Sequence, residues 1–302
     1  MMSSARTKAF ILLLITTLIW GAATIILKYT LNGITPLPFL SYRFLISGGL
    51  GIVSLLFYRG KLPKTARSWI IIAIYSFLST TVSLGLLFLG LAKTTVLDLI
   101  LITLIGPLMA EIAGVIFLKE KVTRLEKIGT FIALSGALLT ILEPALEAGH
   151  SFGGLGGNIL IFTSMFADIA SLLLLKKLIR NDISPTVLTH ISFVIGLMTL
   201  LPISIVFMGV GPFMQIVWEL PIQYHLGVLY MAIMSGTVAY ALRARAQKAI
   251  TVGEAGLFGY LGSIVSAPLA VIFLHETITS LFIAGAILIG IGVGVAEYRK
   301  KR

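Results

Sequence analysis

Val115-Ile116-Phe117-Leu118-Lys119-Glu120 returns 156 positions later as Val271-Ile272-Phe273-Leu274-His275-Glu276. The correspondence continues outward on both sides, pairing Thr95 with Thr251, Asp98 with Glu254, Gly106 with Gly262, Thr123 with Thr279, Gly129 with Gly285 and Gly136 with Gly292. Each half of the chain therefore carries a copy of one hairpin of two apolar helices. How the copies relate in space depends on the number of membrane crossings between them.

The 302 residues are 58% hydrophobic and 12% charged, with a mean hydropathy of +1.05. That leaves too little polar surface to cover a water-soluble globule, and the apolar runs are long enough to span a bilayer. A net charge of +11 would point to nucleic acid in a soluble protein. Here the basic residues sit in short clusters between apolar runs, where they orient helices against a membrane. There is no cysteine, which excludes disulfides, thiolate metal sites and cysteine nucleophiles. The short basic stretch before the first apolar run has no small-residue cleavage site, so that run reads as a retained helix.

Crossing ~30 Å of hydrocarbon at 1.5 Å per residue takes about 20 residues. Charge clusters and Pro/Gly punctuation mark off ten such spans: 9–29, 37–58, 69–91, 96–118, 125–142, 156–178, 185–208, 224–247, 253–274 and 279–298. With that count, 20 of the 23 basic residues fall on the side of the amino terminus, and only Lys28, Arg43 and Lys93 fall toward the other. The bias places both termini in the cytoplasm, with the chain in the cytoplasmic (plasma) membrane.

The two copies occupy spans 4–5 and 9–10, five crossings apart, so the second lies upside down relative to the first. The expected fold is an all-α membrane protein of ten transmembrane helices, built as two inverted five-helix repeats, 1–145 and 146–302, around a central cavity. Secondary transporters recurrently use this architecture, with substrate held near mid-membrane between the repeats. Two nearly equivalent packings, open to opposite faces, then give alternating access. The loop 143–156 joins the halves. Its Gly153-Gly154-Leu155-Gly156-Gly157 run lacks the Lys and Ser/Thr of a phosphate-binding loop and has no strand before it.

Trp20-Gly21, Pro36 with Arg43, Gly106-Pro107, and the twin turns at Glu120 and Glu276 followed by Thr123 and Thr279 resemble the drug/metabolite transporter superfamily, in particular its ten-helix EamA-type branch. The likeness covers essentially the whole chain and implies that fold and a transport role. It departs at Gly262-Ser263, where a proline matching Pro107 is often found; here the proline comes later, at Pro268.

Thr95 with Asp98, and Thr251 with Glu254, read as caps at helix starts. Glu120 and Glu276 read as turn residues that bond loop backbone or neighbouring basic groups. The paired glycines Gly129, Gly136, Gly285 and Gly292 are positioned to let helices approach closely. Two acids break the repeat: Glu111, whose counterpart is Ala267, and Asp168, near the middle of span 6. An intramembrane acid faces a wet cavity or a partner. Both are therefore candidates for contacting a cationic or zwitterionic solute or for proton coupling, set against a bland role as neutral acids bridging helices. Arg43 is positioned to meet an internal acid or a substrate carboxylate, whereas Lys28 is expected to snorkel to the outer surface. Trp20, Tyr42, Tyr240 and Tyr260 are aromatic candidates for the same cavity, and His190 is a further polar intruder.

The leading expectation is a secondary active transporter that exports a small polar metabolite such as an amino acid, in exchange for protons. Multidrug or quaternary-cation efflux is the alternative that the acids and aromatics also suit. A membrane enzyme or lipid-handling protein is more distant, since there is no HExxH, no GxSxG and no His/acid cluster at metal spacing. No cofactor or metal is expected. The expected partners are a small-molecule substrate and membrane lipid, without nucleic acid, and a homodimer is left open.

Overall fold

The structure is a computed structural model that describes residues 4–58, 63, 65–118, 124–146, 152–180, 183–246, 262 and 265–297. Among the described residues there is no strand. Helix α1 is Ser4–Thr30, α2 Pro36–Leu56 and α3 Ala66–Leu91. Next come α4 (Val96–Thr103), α5 (Gly106–Leu118), α6 (Arg124–Leu146), α7 (Phe152–Arg180) and α8 (Pro185–Met208). The chain continues as α9 (Val210–Glu219), α10 (Ile222–Ala246), α11 (Val265–Leu274) and α12 (Ser280–Glu297). Six helices, α1, α2, α3, α7, α8 and α10, are long and apolar enough to cross a membrane, and shorter apolar helices accompany them.

Helix boundaries follow local chemistry. Pro36 and Pro185 open α2 and α8 at positions where the missing N–H has no intrahelical role. Pro107 has no N–H to give the Thr103 carbonyl, and the helix breaks just before it, between α4 and α5. Gly209, at φ 84°, ends α8 and starts α9. The sequence reading did not anticipate α9, an amphipathic helix that buries Phe213 and exposes Val210, Met214 and Trp218.

Helix α6 packs along α12 and α2 along α8, while α1 packs on α10 and α3 on α7. Under the 156-residue shift α1 corresponds to α7 and α3 to α10. The α1–α10 contact therefore maps onto the α7–α3 contact, and the other two pairs map onto themselves. The α6–α12 pair depends on glycine. A Cβ on Gly292 would lie 2.4 Å from Ala133 N and 2.5 Å from Gly129 O, and one on Gly136 would lie 2.8 Å from Gly285 O. Because backbone cannot yield as a side-chain end can, Gly292→Val is expected to cost about 3 kcal/mol, at the upper end of overpacking penalties. Thermal unfolding in detergent should show it, with Gly290→Ala as the control, since that position faces open space.

Two helices contain π-helical turns, Phe77–Ser83 in α3 and Ile233–Val238 in α10. Shifted by 156, the first falls on the second. Such turns widen the helix locally and free backbone groups, and they recur at functional sites.

Candidate functional site

A cavity of about 410 Å³ lies among α1, α2, α3, α4, α5, α7, α10 and α11. It follows α1 from Leu13 to Leu27, roughly 20 Å at 1.5 Å per residue. Its polar wall includes Trp20, Thr24, Arg43, Asp168, Ser235, Tyr240, Arg243 and Ser266, and the rest is mostly aliphatic carbon.

Trp20 is held by its indole N–H, which donates to the Ser235 carbonyl at 3.0 Å. That carbonyl belongs to the π-helical turn of α10, so the irregular backbone fixes a cavity aromatic. Tyr240 meets Trp20 edge to face at 5.3 Å, and Arg243 lies over the other part of this cluster, its guanidinium carbon 5.2 Å from the Trp20 ring centre. Arg43, Asp168 and Arg243 all lie within electrostatic reach of the Tyr240 phenol. Asp168 is half-buried, and its carboxylate makes no hydrogen bond or ion pair to a described residue. Arg43 is 1% exposed. One cavity wall thus carries both signs of charge, two cations and an acid.

Of the residues singled out in the sequence, Trp20, Arg43, Asp168 and Tyr240 come together here. Tyr42 does not: its hydroxyl lies 3.0 Å from His225 Nδ1 on α10, outside the cavity wall. Adjacent helical positions differ by about 100° in direction, so Tyr42 and Arg43 cannot share one face. Glu111 lies within α5, and its side chain is outside the described residues. Glu120, Glu254 and Tyr260 also fall outside them. Arg243 was counted only among the basic residues on the side of the amino terminus, but the structure places it on the cavity. His190 Nδ1 is buried and makes no hydrogen bond to a described residue.

At the Leu27 end of the cavity lies a polar clasp. Glu276 Oε1 and Oε2 accept from Val96 N (2.7 Å) and Leu97 N (2.9 Å), two of the N–H groups that the start of α4 leaves without helical partners. His275, in the left-handed region at φ 55°, turns the chain out of α11 and aims Glu276 at them. Thr95 caps the same helix, its Oγ1 accepting from Asp98 N at 3.0 Å. The Asp98 carboxylate accepts from Thr94 Oγ1 (2.7 Å) and from Asn158 Nδ2 (3.1 Å). Asn158 arrives there because Gly90 of α3 and Gly157 of α7 touch backbone to backbone: a Cβ on either would meet the other's carbonyl within 2.8 Å. Lys28 does not snorkel outward but donates to the carbonyls of Leu91 (2.8 Å) and Thr94. Its ammonium covers the carbonyl end of α3, where the helix dipole is negative. Asn158 had gone unassigned in the sequence because it follows a Gly-rich run, and Lys28 had been read as a surface residue because it sits at a span end.

Among the described residues no group of three or more His, Asp or Glu is arranged to hold a metal ion. A family model described as the EamA-like transporter family matches residues 7–142 and 155–297. The chain is 26% identical over 293 residues to "Uncharacterized transporter YyaM" of Bacillus subtilis (strain 168), covering 95% of this chain and 93% of that protein. It is 23% identical over 306 residues to a "Probable amino-acid metabolite efflux pump" of Salmonella typhimurium (strain LT2), covering 99% and 98%. A solved structure described only as "Crystal structure of protein" superposes with a TM-score of 0.68 at 17% identity, covering 98% of this chain and 99% of that one.

Proposed function

Because the chain belongs to the EamA-like transporter family and is an integral membrane protein, we propose that it is a secondary active transporter exporting a small polar metabolite, an amino acid in the first instance, by alternating access. The observation that carries this reading is the cavity whose wall holds Arg43, Arg243 and Asp168. Charges of both signs inside an apolar helix bundle match a zwitterion, and each would be costly to bury without a solute or water to meet it. The name of the Salmonella relative, a probable amino-acid metabolite efflux pump, points the same way. Multidrug or quaternary-cation efflux fits less well: Trp20, Tyr240 and Asp168 would welcome a cation, but Arg43 and Arg243 on the same wall repel it.

The chain is read as ten crossings in two inverted halves, 1–145 and 146–302, with both termini cytoplasmic in the plasma membrane. The exchange of the α1–α10 and α3–α7 contacts under the repeat supports this reading. In that orientation the Glu276 clasp closes the outer face, and the cavity is loaded from the cytoplasm. Export then requires Val96 and Leu97 to part from Glu276, with Asp168 taking up a proton as the solute leaves.

Purified protein reconstituted in liposomes with an imposed proton gradient tests this reading. Counterflow of labelled amino acids above that of empty liposomes is expected. Vesicles that move no amino acid, amine or proton under any gradient would sink it.

A further inference from the structure

Two nitrogens of the Arg43 guanidinium, Nε and Nη1, are buried and make no hydrogen bond to a described residue, and the residue is 1% exposed. Its nearest aromatic company is Phe44 and Phe88, with ring centres 5.7 and 5.6 Å from the guanidinium carbon. The ionisable side chain in reach is the Tyr240 phenol, which is not a counter-charge at neutral pH. The group nevertheless borders the cavity. Phosphates and carboxylates are what a planar fork of N–H donors recognises in two-point fashion, and an unpaired buried cation is destabilising until such a group arrives.

Resting on the transporter reading above, the geometry points to Arg43 as the carboxylate-binding group of the transport site, so that the substrate is a small monocarboxylate with an apolar body. The wall next to Arg43 decides the second half of that statement. Phe88 lies beside it, and Leu84, Leu87 and Met231 line the same cavity, leaving carbon for the substrate's carbon to touch. Asp168 lies elsewhere on the same wall and suits an ammonium group. An α-amino acid with an aliphatic or aromatic side chain satisfies all three. A phosphate monoester would satisfy the fork but adds a second negative charge that a wall bearing Asp168 does not need.

The test uses the full chain in detergent and four probes built on one phenyl body: L-phenylalanine, 3-phenylpropionate, 2-phenylethylamine and phenyl phosphate, with the leucine series run beside them. The two carboxylates are expected to raise Tm, by about 5 °C at concentrations ~100-fold above Kd for the better one, while the amine gives no shift. Arg43→Met should raise the Tm of the ligand-free protein, since it removes an unpaired charge, and should abolish the carboxylate shift. Arg43→Lys should keep the charge but weaken the shift at least tenfold in concentration. A structural arginine would behave oppositely, with Arg43→Met lowering the ligand-free Tm. Should that variant fail to fold, the wild-type probe series still decides. Equal stabilisation by amine and amino acid, a preference for phenyl phosphate, or no shift with any carboxylate overturns the inference. A protein that transports amines in liposomes but ignores carboxylates keeps the transporter reading and loses this one.

Discussion

Asp168→Asn is expected to reduce proton-driven transport by roughly 30- to 700-fold, the kinetic equivalent of about 2–4 kcal/mol for removing the charged partner of a substrate ammonium. The substitution is nearly isosteric, and the Asp168 carboxylate bonds no described residue, so the fold should lose little. What disappears is the negative charge on the wall that also holds Arg43 and Arg243, and with it any capacity of that side chain to carry a proton. Two measurements separate these roles. If Asp168 serves only to hold an ammonium, counterflow and proton-driven flux fall together. If it also carries the proton, the pH dependence of flux flattens while residual exchange at equilibrium survives. Wild-type rates with an unchanged pH profile would remove Asp168 from the mechanism.

The second large effect belongs to Glu276. Its two oxygens satisfy the Val96 and Leu97 N–H groups, which belong to residues that are themselves buried. Glu276→Ala strands both donors and deprives the first turn of α4 of its compensating charge. The expected loss is about 2–4 kcal/mol, below the full sum of two charge-assisted bonds because Glu276 is only half-buried. Glu276→Gln keeps one good acceptor but turns an amide N–H₂ toward a donor, and it should fall between. The change is expected to act on one end of the molecule. Because the chain has no cysteine, a single Ala23→Cys on the cavity wall reports access cleanly. A membrane-impermeant thiol reagent added from outside should label it faster in the Glu276→Ala background than in wild type. Unaltered labelling together with an unaltered Tm would show that the clasp does not hold that end shut.

Much of this was readable from residue order alone. Span 7, expected at 185–208, is Pro185–Met208, because proline at one end and glycine at the other punctuate an uninterrupted apolar run. Gly292 and Gly136 sit at the α6–α12 contact, since only a missing side chain lets two backbones come so near. Hydropathy fails where direction matters more than composition. Arg243 counts among the 20 basic residues assigned to the side of the amino terminus, yet it turns inward over Trp20. Tyr42 was expected in the same cavity as Arg43, although helical geometry sends them apart. Lys28 looked like a surface residue because a window average cannot see that two carbonyls lie within its reach. Asn158, at 0% exposure, was overlooked beside a glycine cluster taken for a linker. Helix α9 is too short and too one-sided for any average over a membrane span to register.

The widened turns in α3 and α10 also bear on history. A π turn arises when one residue is inserted into a regular helix, and these two occur at the same offset in both copies. An insertion made once, in a segment later copied, would leave this pattern, with the second turn put to use where the Ser235 carbonyl receives the Trp20 indole.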